Sequence, residues 1–307
     1  MALVLDPVRS PGELITAADW NQVNDNIDFL AATPLQNLLL NGGFEVWQRG
    51  VGPFTADLAY TADRWVMDEV GTTALSVTRD TNSEVNSQYC AAVVVSSYNT
   101  ESYLYQKLED WQSLKGKEIT FSIRVKTTTA AAVRVQISDG VGTTTSTTYH
   151  EGTGVFQTLS ITRTISASAT SVQVYVVFNA NCTAYLDNAV LVLGPVAAEY
   201  VPEHPAEDWD RCQRYYYDGG GSGTGDRGGM IVLFLDGTNT RVYGANAQFP
   251  TRMAGDPTVT GTNFTANNFP ATPGITNSSP TGAYEERTAN ATGHCYYVTS
   301  IVAEFNP

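Results

Sequence analysis

Carboxylates are the side chains in this sequence that could do catalytic chemistry, because glycoside hydrolysis needs two of them facing each other across the scissile bond. They crowd a proline-rich stretch and one later position, at Glu203, Glu207, Asp208, Asp210 and Glu285-Glu286. Adjacent exposed carboxylates are normally solvated. The sequence contains no legible Ser-His-Asp or Cys-His arrangement either. We therefore predict that the protein is not an enzyme.

The sequence also gives little indication of a metal site or a phosphate-binding loop. The four cysteines and three histidines are widely separated, at Cys90, Cys182, Cys212, Cys295, His150, His204 and His294. We expect buried free thiols in a chain that folds in the cytosol, not a zinc site. The glycine-rich run 219–229 lacks the Gly-Lys-Ser/Thr ending of a phosphate loop. It is expected to be a flexible exposed loop, and no cofactor is predicted.

The charge balance excludes further classes of function. The 307 residues include 31 acidic and 17 basic side chains, a net charge of −14. Such a chain lacks the basic surface that binds nucleic acid, and it does not favour docking on anionic membranes. No apolar run approaches the roughly 18 residues of a membrane helix. The first residues lack the basic start of a signal peptide, so none is expected.

The amino-terminal segment 1–36 carries the one helix that the sequence predicts, over residues 12–32. Thr16 is a candidate N-cap, and Pro34 follows the helix. A 3-4-3 spacing places four apolar residues along one seam, at Trp20, Val23, Ile27 and Leu30. A helix this short is marginal alone in water. It therefore either packs on its own domain or meets copies of itself in an oligomer.

Residues 37–194 switch to a period of two, which is typical of strands with one buried face. Ile119, Phe121, Ile123 and Val125 alternate with polar residues, and 133–138 and 172–178 repeat the pattern. About ten short strands without a helix predict an all-β fold, most naturally a jelly-roll β-sandwich. Prolines and acidic residues mark 195–211 as a stiff linker. Strands at 215–217, 230–235, 240–249, 257–260 and 295–305 predict a smaller β domain over 212–307, with loops between them.

Six segments carry a resemblance to a known class of protein. Residues 37–50 (NLLLNGGFEVWQRG), 60–65 (YTADRW) and 185–191 (YLDNAVL) resemble the opening and closing strands of carbohydrate-binding-module-like jelly rolls in bacteriophage tail fibres. The run 212–217 (CQRYYY), with 249–253 and 257–260, is similar to the small carboxy-terminal domain often attached to them in phage structural proteins. The resemblance covers roughly residues 37–307.

The resemblance implies a virion structural protein, a tail-fibre or receptor-binding subunit that binds host cell-surface glycan. We assign Trp47 and Trp65 to the core and expect Arg64 to hold a buried turn. The candidate glycan-stacking aromatics are Tyr98, Tyr103, Tyr105 and Trp111. Similar jelly rolls often hold a structural calcium ion between the first and last strands. Residue by residue, this implies Glu45 and Asp187 as ligands, whereas two solvated carboxylates are the alternative.

Fibres of this kind are usually trimers, so a parallel homotrimer would bury the seam of Trp20, Val23, Ile27 and Leu30. The amino-terminal segment would then join other virion proteins, on the tail or the capsid exterior. Two rival functions remain open. One is a capsid fibre or decoration protein without a receptor, and the other is a polysaccharide depolymerase.

Overall fold

A computed structural model describes residues 16, 20–21, 36–219, 230–237, 242–267, 269, 274–288 and 293–305. Ten strands form the first unit: β1 Val66–Asp68, β2 Ala74–Asp80, β3 Cys90–Ser97, β4 Ser102–Lys107, β5 Glu118–Thr127, β6 Val133–Ser138, β7 Thr143–Thr145, β8 Gln157–Thr164, β9 Gln173–Phe178 and β10 Cys182–Leu193. They build two antiparallel sheets, β1-β4-β9-β6-β7 (the first sheet) and β2-β3-β10-β5-β8 (the second sheet). The predicted all-β sandwich is confirmed.

The core lies between these two sheets, where the alternating apolar residues meet. Phe121 and Ile123 of β5 and Val174 and Val176 of β9 have no exposed surface. Trp65 is also fully buried, and it stacks on Phe44 with 4.8 Å between ring centres. Its indole nitrogen donates to the carbonyl of Asn41 at 3.0 Å, so its polar edge is satisfied inside the core. Trp47 is buried as well, and the core assignment of both tryptophans is confirmed.

The predicted linker 195–211 is wrong in its second half, where helix α1 spans Pro205–Gln213. His204 caps the helix by accepting from the Ala206 amide, and Pro205 stands at its first position. Glu207 and Asp208 lie in the first turn, where negative charge favours a helix start. The proline and acidic residues that suggested a linker are therefore helix-start signals. Asp208 accepts a hydrogen bond from the Asn41 amide at 3.1 Å, which ties α1 to the jelly roll.

The predicted helix 12–32 falls almost entirely outside the described residues. Trp20 and Asn21 are helical, and the Trp20 amide donates to the Thr16 carbonyl at 3.2 Å. Trp20 is 61% exposed. Val23, Ile27 and Leu30 lie outside the described part, so the oligomerisation seam stays a prediction. Among the described residues, no helix is long and apolar enough to cross a membrane.

The second unit follows α1 and contains seven strands in the described ranges: β11 Tyr216–Asp218, β12 Met230–Gly237, β13 Val242–Gln248, β14 Thr258–Asn267, β15 Ile275–Ser279, β16 Gly282–Thr288 and β17 Gly293–Glu304. β17 pairs with β11, β12 and β14, while β13, β16 and β15 form a separate sheet. We expected loops after residue 260, and this is wrong. Polar residues in β14–β16 concealed their alternation. The predicted exposed loop 219–229 lies outside the described residues, apart from Gly219.

Arg49 joins the two units. It donates to Asp63 at 3.0 Å in the jelly roll and to Glu304 of β17 at 2.7 Å. Its guanidinium also lies 3.8 Å from the ring centre of Tyr216 in β11. Cation–π contact and paired carboxylates together compensate for removing the charge from water.

Arg64 makes a parallel contact beside it. Its guanidinium lies 3.7 Å from the Tyr215 ring centre, and its Nη2 donates to the Lys107 carbonyl at 2.8 Å. The Tyr215 hydroxyl donates to Glu109 of the jelly roll. We expected Arg64 to hold a buried turn, and it is indeed buried, but it also stacks on the second unit. Segments 37–50, 60–65 and 212–217, which carry part of the resemblance, thus meet at one interface. We call it the arginine interface.

Candidate functional site

The outer face of the first sheet carries three tyrosines side by side. Tyr103 and Tyr105 point outward from β4, since they alternate with buried residues. Tyr175 of β9 is the cross-strand partner of Tyr105. The Tyr175 ring centre lies 5.5 Å from that of Tyr103, edge to face, and 5.3 Å from that of Tyr105. All three are half-buried, so part of each side chain remains accessible to solvent. We call this group the tyrosine face.

Carboxamides and hydroxyls surround the tyrosine face. The Tyr175 hydroxyl donates to Gln173 Oε1 at 2.6 Å, which fixes the direction of the ring. Gln136 of β6 is the other cross-strand partner of Tyr175, and its Oε1 accepts from the Thr145 hydroxyl at 2.8 Å. These groups donate and accept hydrogen bonds without net charge. They suit a ligand with many neutral hydroxyls.

An ion pair stands at the rim of this face. Arg134 of β6 contacts Glu101, which also accepts from Asn179 Nδ2 at 2.6 Å. Glu101 and Arg134 neutralise each other, but Asp68 of β1, the cross-strand partner of Tyr103, adds a carboxylate beside the tyrosines. The tyrosine face therefore disfavours acidic ligands and suits neutral ones.

The tyrosine hydroxyls stay neutral over the physiological range. Burial raises the pKa of Tyr175 to about 12, with smaller contributions from Tyr105, Asp68 and Tyr103. Burial likewise raises the pKa of Tyr103 and of Tyr105. Neutral hydroxyls can both donate and accept. An amphipathic ring with a neutral hydroxyl can stack on the apolar face of a sugar and bond to its rim.

The four predicted stacking aromatics do not form one patch. Tyr98 lies in the turn after β3, where its amide donates to Asn181 Oδ1 at 2.6 Å. Trp111 opens a short 3₁₀ turn after β4 and packs against the core, with Lys115 Nζ 5.0 Å from its ring centre. Tyr98 precedes β4 and Trp111 follows it, and this strand is about 20 Å long. The two side chains are therefore too far apart to share one small ligand. The structure brings together only Tyr103 and Tyr105.

Tyr175 was missed, although the sequence carried a signal for it. Tyr175 alternates with the buried valines of β9, so its outward direction was readable. What the sequence did not reveal is that β9 lies beside β4, because these strands are about 70 residues apart in the chain. Pairing partners across such distances are set by the sandwich topology, not by local pattern.

Glu45 and Asp187, the two carboxylates implied as calcium ligands, both accept hydrogen bonds in the described structure. Asp187 has no exposed surface, and its two oxygens accept from the Glu84 amide at 2.8 Å, the Asn188 amide at 2.7 Å and the Ser87 hydroxyl at 3.2 Å. Glu45 accepts from the Gln88 amide at 2.6 Å. Calcium needs six to eight oxygen ligands, and the calcium site that the resemblance implies stays a prediction.

These hydrogen bonds give both carboxylates a structural role. Both anchor the loop before β3, Asp187 from β10 and Glu45 from the opening segment. Burial raises the pKa of Asp187 to about 6, against the effect of its hydrogen bonds, and Glu45 adds to the rise. No group of three or more potential metal-ligating side chains occurs among the described residues.

Three of the carboxylates considered for catalysis make ion pairs or hydrogen bonds that stabilise the fold. Glu203 pairs with Arg211, and Asp208 receives the Asn41 amide. Glu285 is buried in an ion pair with Arg287, while Glu286 is exposed on the opposite face of the same strand. The two neighbours Glu285 and Glu286 therefore cannot flank one bond.

Three cysteines match the prediction of buried free thiols. Cys90, Cys182 and Cys212 are free and buried. Burial raises the pKa of Cys90 to about 12 and that of Cys182 to about 11, which keeps both thiols protonated and unreactive. The side chain of Cys295 lies outside the described part.

Comparison of the fold with solved structures gives several similar jelly rolls. The xylan-binding CBM22-1 domain of Paenibacillus barcinonensis Xyn10C matches 54% of this chain and all of its own, with 14% identity and a TM-score of 0.38. TmCBM61, solved with β-1,4-galactotriose, matches 52% of this chain and 99% of its own, with 17% identity and a TM-score of 0.36.

A third similar structure is the enzymatically active domain of tailspike protein 4 from bacteriophage CBA120. The match covers 52% of this chain and 21% of the tailspike chain, with 13% identity and a TM-score of 0.35. No protein-family model matches the sequence, and no curated protein matches it either.

Proposed function

We propose that this protein is a carbohydrate-binding subunit of a bacteriophage virion, a tail-fibre or receptor-binding protein that acts without catalysis. The observation that carries the proposal is the tyrosine face, formed by Tyr103, Tyr105 and Tyr175 on a rigid sheet. Stacking on these rings would hold a neutral glycan, and the carboxamides of Gln136 and Gln173 would bond to its hydroxyls.

The virion role rests on the resemblance of segments 37–50, 60–65 and 212–217 to phage fibre proteins. In this proposal the amino-terminal segment joins other virion proteins and brings three copies together through Trp20, Val23, Ile27 and Leu30. Three weak glycan sites on one fibre gain avidity by repetition. The protein would then stand on the exterior of the tail or capsid.

A glycan array tests the binding role directly. The intact protein should bind a group of related neutral glycans, and Tyr175→Ala should weaken that signal. Tyr185→Ala is the matched control, since Tyr185 is a half-buried tyrosine on the second sheet. Equal binding by wild type and Tyr175→Ala would exclude the tyrosine face as the site. Binding by neither would favour a decoration protein without a receptor.

Two further measurements test the remaining parts. Light scattering at micromolar concentration should give the mass of a trimer, and Ile27→Asp should lower it, whereas a monomer mass for wild type would contradict the assembly. Incubation with host capsule polysaccharide should release no new reducing ends. Sustained release by purified protein would establish a depolymerase instead.

A further inference from the structure

The second unit carries another aromatic group within a row of carboxamides. Tyr284 of β16 is the cross-strand partner of Asn246 in β13 and of Asn277 in β15. Cross-strand partners project from the same face of a sheet. Asn246 and Asn277 are exposed and Tyr284 is half-buried, so this row lies on the outer face. One ring is thus flanked on both sides by an amide group.

The next row along the sheet leaves an opening beside this ring. Gly282 pairs with Gln248 and Ser279, and a Cβ atom at Gly282 would meet the Ala247 carbonyl oxygen at 2.3 Å. No side chain can therefore fill this position without moving the backbone. A shallow, open depression of about 540 Å³ is lined by both rows. Such an open surface suits a ligand that lies along the sheet with one side in solvent.

The opposite face of the same sheet holds the row in place. Ala247 and Ala283 pack into the core of the second unit. Glu285 follows Tyr284 directly and forms a buried ion pair with Arg287. Tyr284 is therefore presented by a strand whose alternate residues are fixed in the interior. A fixed ring loses little conformational entropy when a ligand stacks on it.

We infer that this face, formed by Asn246, Gln248, Asn277, Ser279 and Tyr284, is a second saccharide-binding site, specific for neutral sugars. The Tyr284 ring offers an apolar surface to stack on, and the carboxamides of Asn246, Gln248 and Asn277 supply both donors and acceptors for hydroxyl groups. Glu286 is exposed on the same face, and its carboxylate repels uronic or sialic acids.

This site is separate from the tyrosine face, and it extends the proposed function from one glycan site per chain to two. Because the two sites belong to different sheets of different units, either can fail without the other. A chain with two sites can hold two points of one glycan or of one cell surface.

The test is a calorimetric titration of the full chain with neutral oligosaccharides, namely β-1,4-galactotriose, xylohexaose and the best neutral hit from a glycan array. The starting protein is Tyr175→Ala, in which the tyrosine face is broken. We expect residual binding in this background, and adding Tyr284→Ala should weaken it at least about tenfold, the loss typical of an aromatic stacking platform. Tyr284→Phe should retain it.

Two controls distinguish loss of the binding site from other changes in the protein. Glu286→Gln changes the same face without removing a stacking or amide group, so affinity for neutral sugars should stay within twofold. Melting temperatures show whether Tyr284→Ala is folded. If it is not, the double change Asn246→Ala and Asn277→Ala keeps the ring and should still weaken binding about tenfold.

The outcomes separate this site from the tyrosine face. Loss of all binding in Tyr175→Ala alone would overturn the second site and leave the proposed function standing. Loss in Tyr284→Ala alone would support the second site and contradict the tyrosine face. Unchanged affinity in the folded Tyr284 and asparagine variants would overturn the inference. So would a drop in molecular mass with Tyr284→Ala, which would mark the face as a contact between copies. Failure of wild type to bind any neutral glycan would overturn both sites.

Discussion

Tyrosines occur in two contrasting settings in this molecule. At the arginine interface, the rings of Tyr215 and Tyr216 lie under guanidinium groups at 3.7 and 3.8 Å, and the Tyr215 hydroxyl is taken by Glu109. On the tyrosine face, Tyr103 and Tyr175 contact each other and remain half-buried on the outer face of the sheet. The first group has guanidinium groups stacked on its rings, whereas the second group contacts other tyrosines and keeps part of its surface accessible to solvent.

This difference distinguishes aromatic residues that stabilise the fold from aromatic residues that can bind a ligand. A ring whose face and hydroxyl both meet protein groups contributes to the stability of the fold. A ring that is held at its edge and open on one side can contribute to affinity at small cost to folding when removed. Composition cannot make this distinction, because both groups are tyrosines on strands or beside them.

The largest expected effect is at Trp65, directly next to Arg64 in the chain. Trp65→Ala empties a fully buried site and removes the stack on Phe44. We expect a loss of about 3–5 kcal/mol in the free energy of unfolding, measured by denaturant titration. Tyr103→Ala should leave the melting temperature nearly unchanged. Equal destabilisation by both variants would remove the proposed difference between core and face.

The next effect is at the arginine interface itself. Arg64→Leu leaves the Lys107 carbonyl without its donor and uncovers the Tyr215 ring, so we expect a loss of about 1–3 kcal/mol. Calorimetry should resolve the second unit as a separate, earlier transition. Arg79→Leu is the control, since Arg79 stacks on Tyr89 at 4.1 Å away from the interface. Its effect should stay below about 1 kcal/mol, the usual limit for a half-exposed cation–π contact.

Trp111 should give a smaller effect, and this variant tests its predicted role in glycan stacking. Because it packs against the core, Trp111→Ala should lower stability by roughly 1–2 kcal/mol, less than emptying a fully buried aromatic site. It should leave glycan affinity unchanged. Loss of affinity without a change in melting temperature would return Trp111 to the binding surface.

Dependence on pH should also differ between fold and face. Burial raises the folded-state pKa of Asp187 to about 6, above its ordinary value of 3.8. Its contribution to stability is therefore fully present below about pH 4 and is lost as the pH rises through about 6. The free energy of unfolding should fall over this window, and Asp187→Asn should make the fall smaller without removing it, because burial also raises the pKa of Asp63 to about 6. A wild-type profile without this fall would contradict the assignment.

Glycan affinity should not follow that profile. The pKa of Tyr175 is about 12, and the pKa values of Tyr103 and Tyr105 are also raised, so none of these hydroxyls titrates between pH 5 and about 9. Affinity measured by titration calorimetry should stay constant across that range. A midpoint near neutral pH would point to a different group at the site.

Local pattern predicted much of the fold. Alternation placed β5, β6 and β9 almost residue for residue, because a buried face forces a period of two. Polar strands such as β15 and β16 escaped, since Asn, Ser and Thr obscure that period. Helix α1 was not predicted, because proline and acidic residues are common both at helix starts and in linkers.

The candidate site was predictable only in part. Tyr103 and Tyr105 share a strand, so their common face followed from spacing. Their contact with Tyr175, and that of Arg64 with Tyr215, join residues about 70 and 150 positions apart. Such contacts depend on strand order and on the docking of whole units, which no local pattern encodes.

The most direct test of the central claim is a calorimetric titration of Tyr175→Ala with the best glycan from the array, beside wild type and Tyr185→Ala. If the open tyrosine face is the binding surface, Tyr175→Ala loses about 1–3 kcal/mol of binding free energy at an unchanged melting temperature, by analogy with other aromatic platforms. Tyr185→Ala then binds like wild type. Wild-type affinity in a folded Tyr175→Ala protein would contradict the claim.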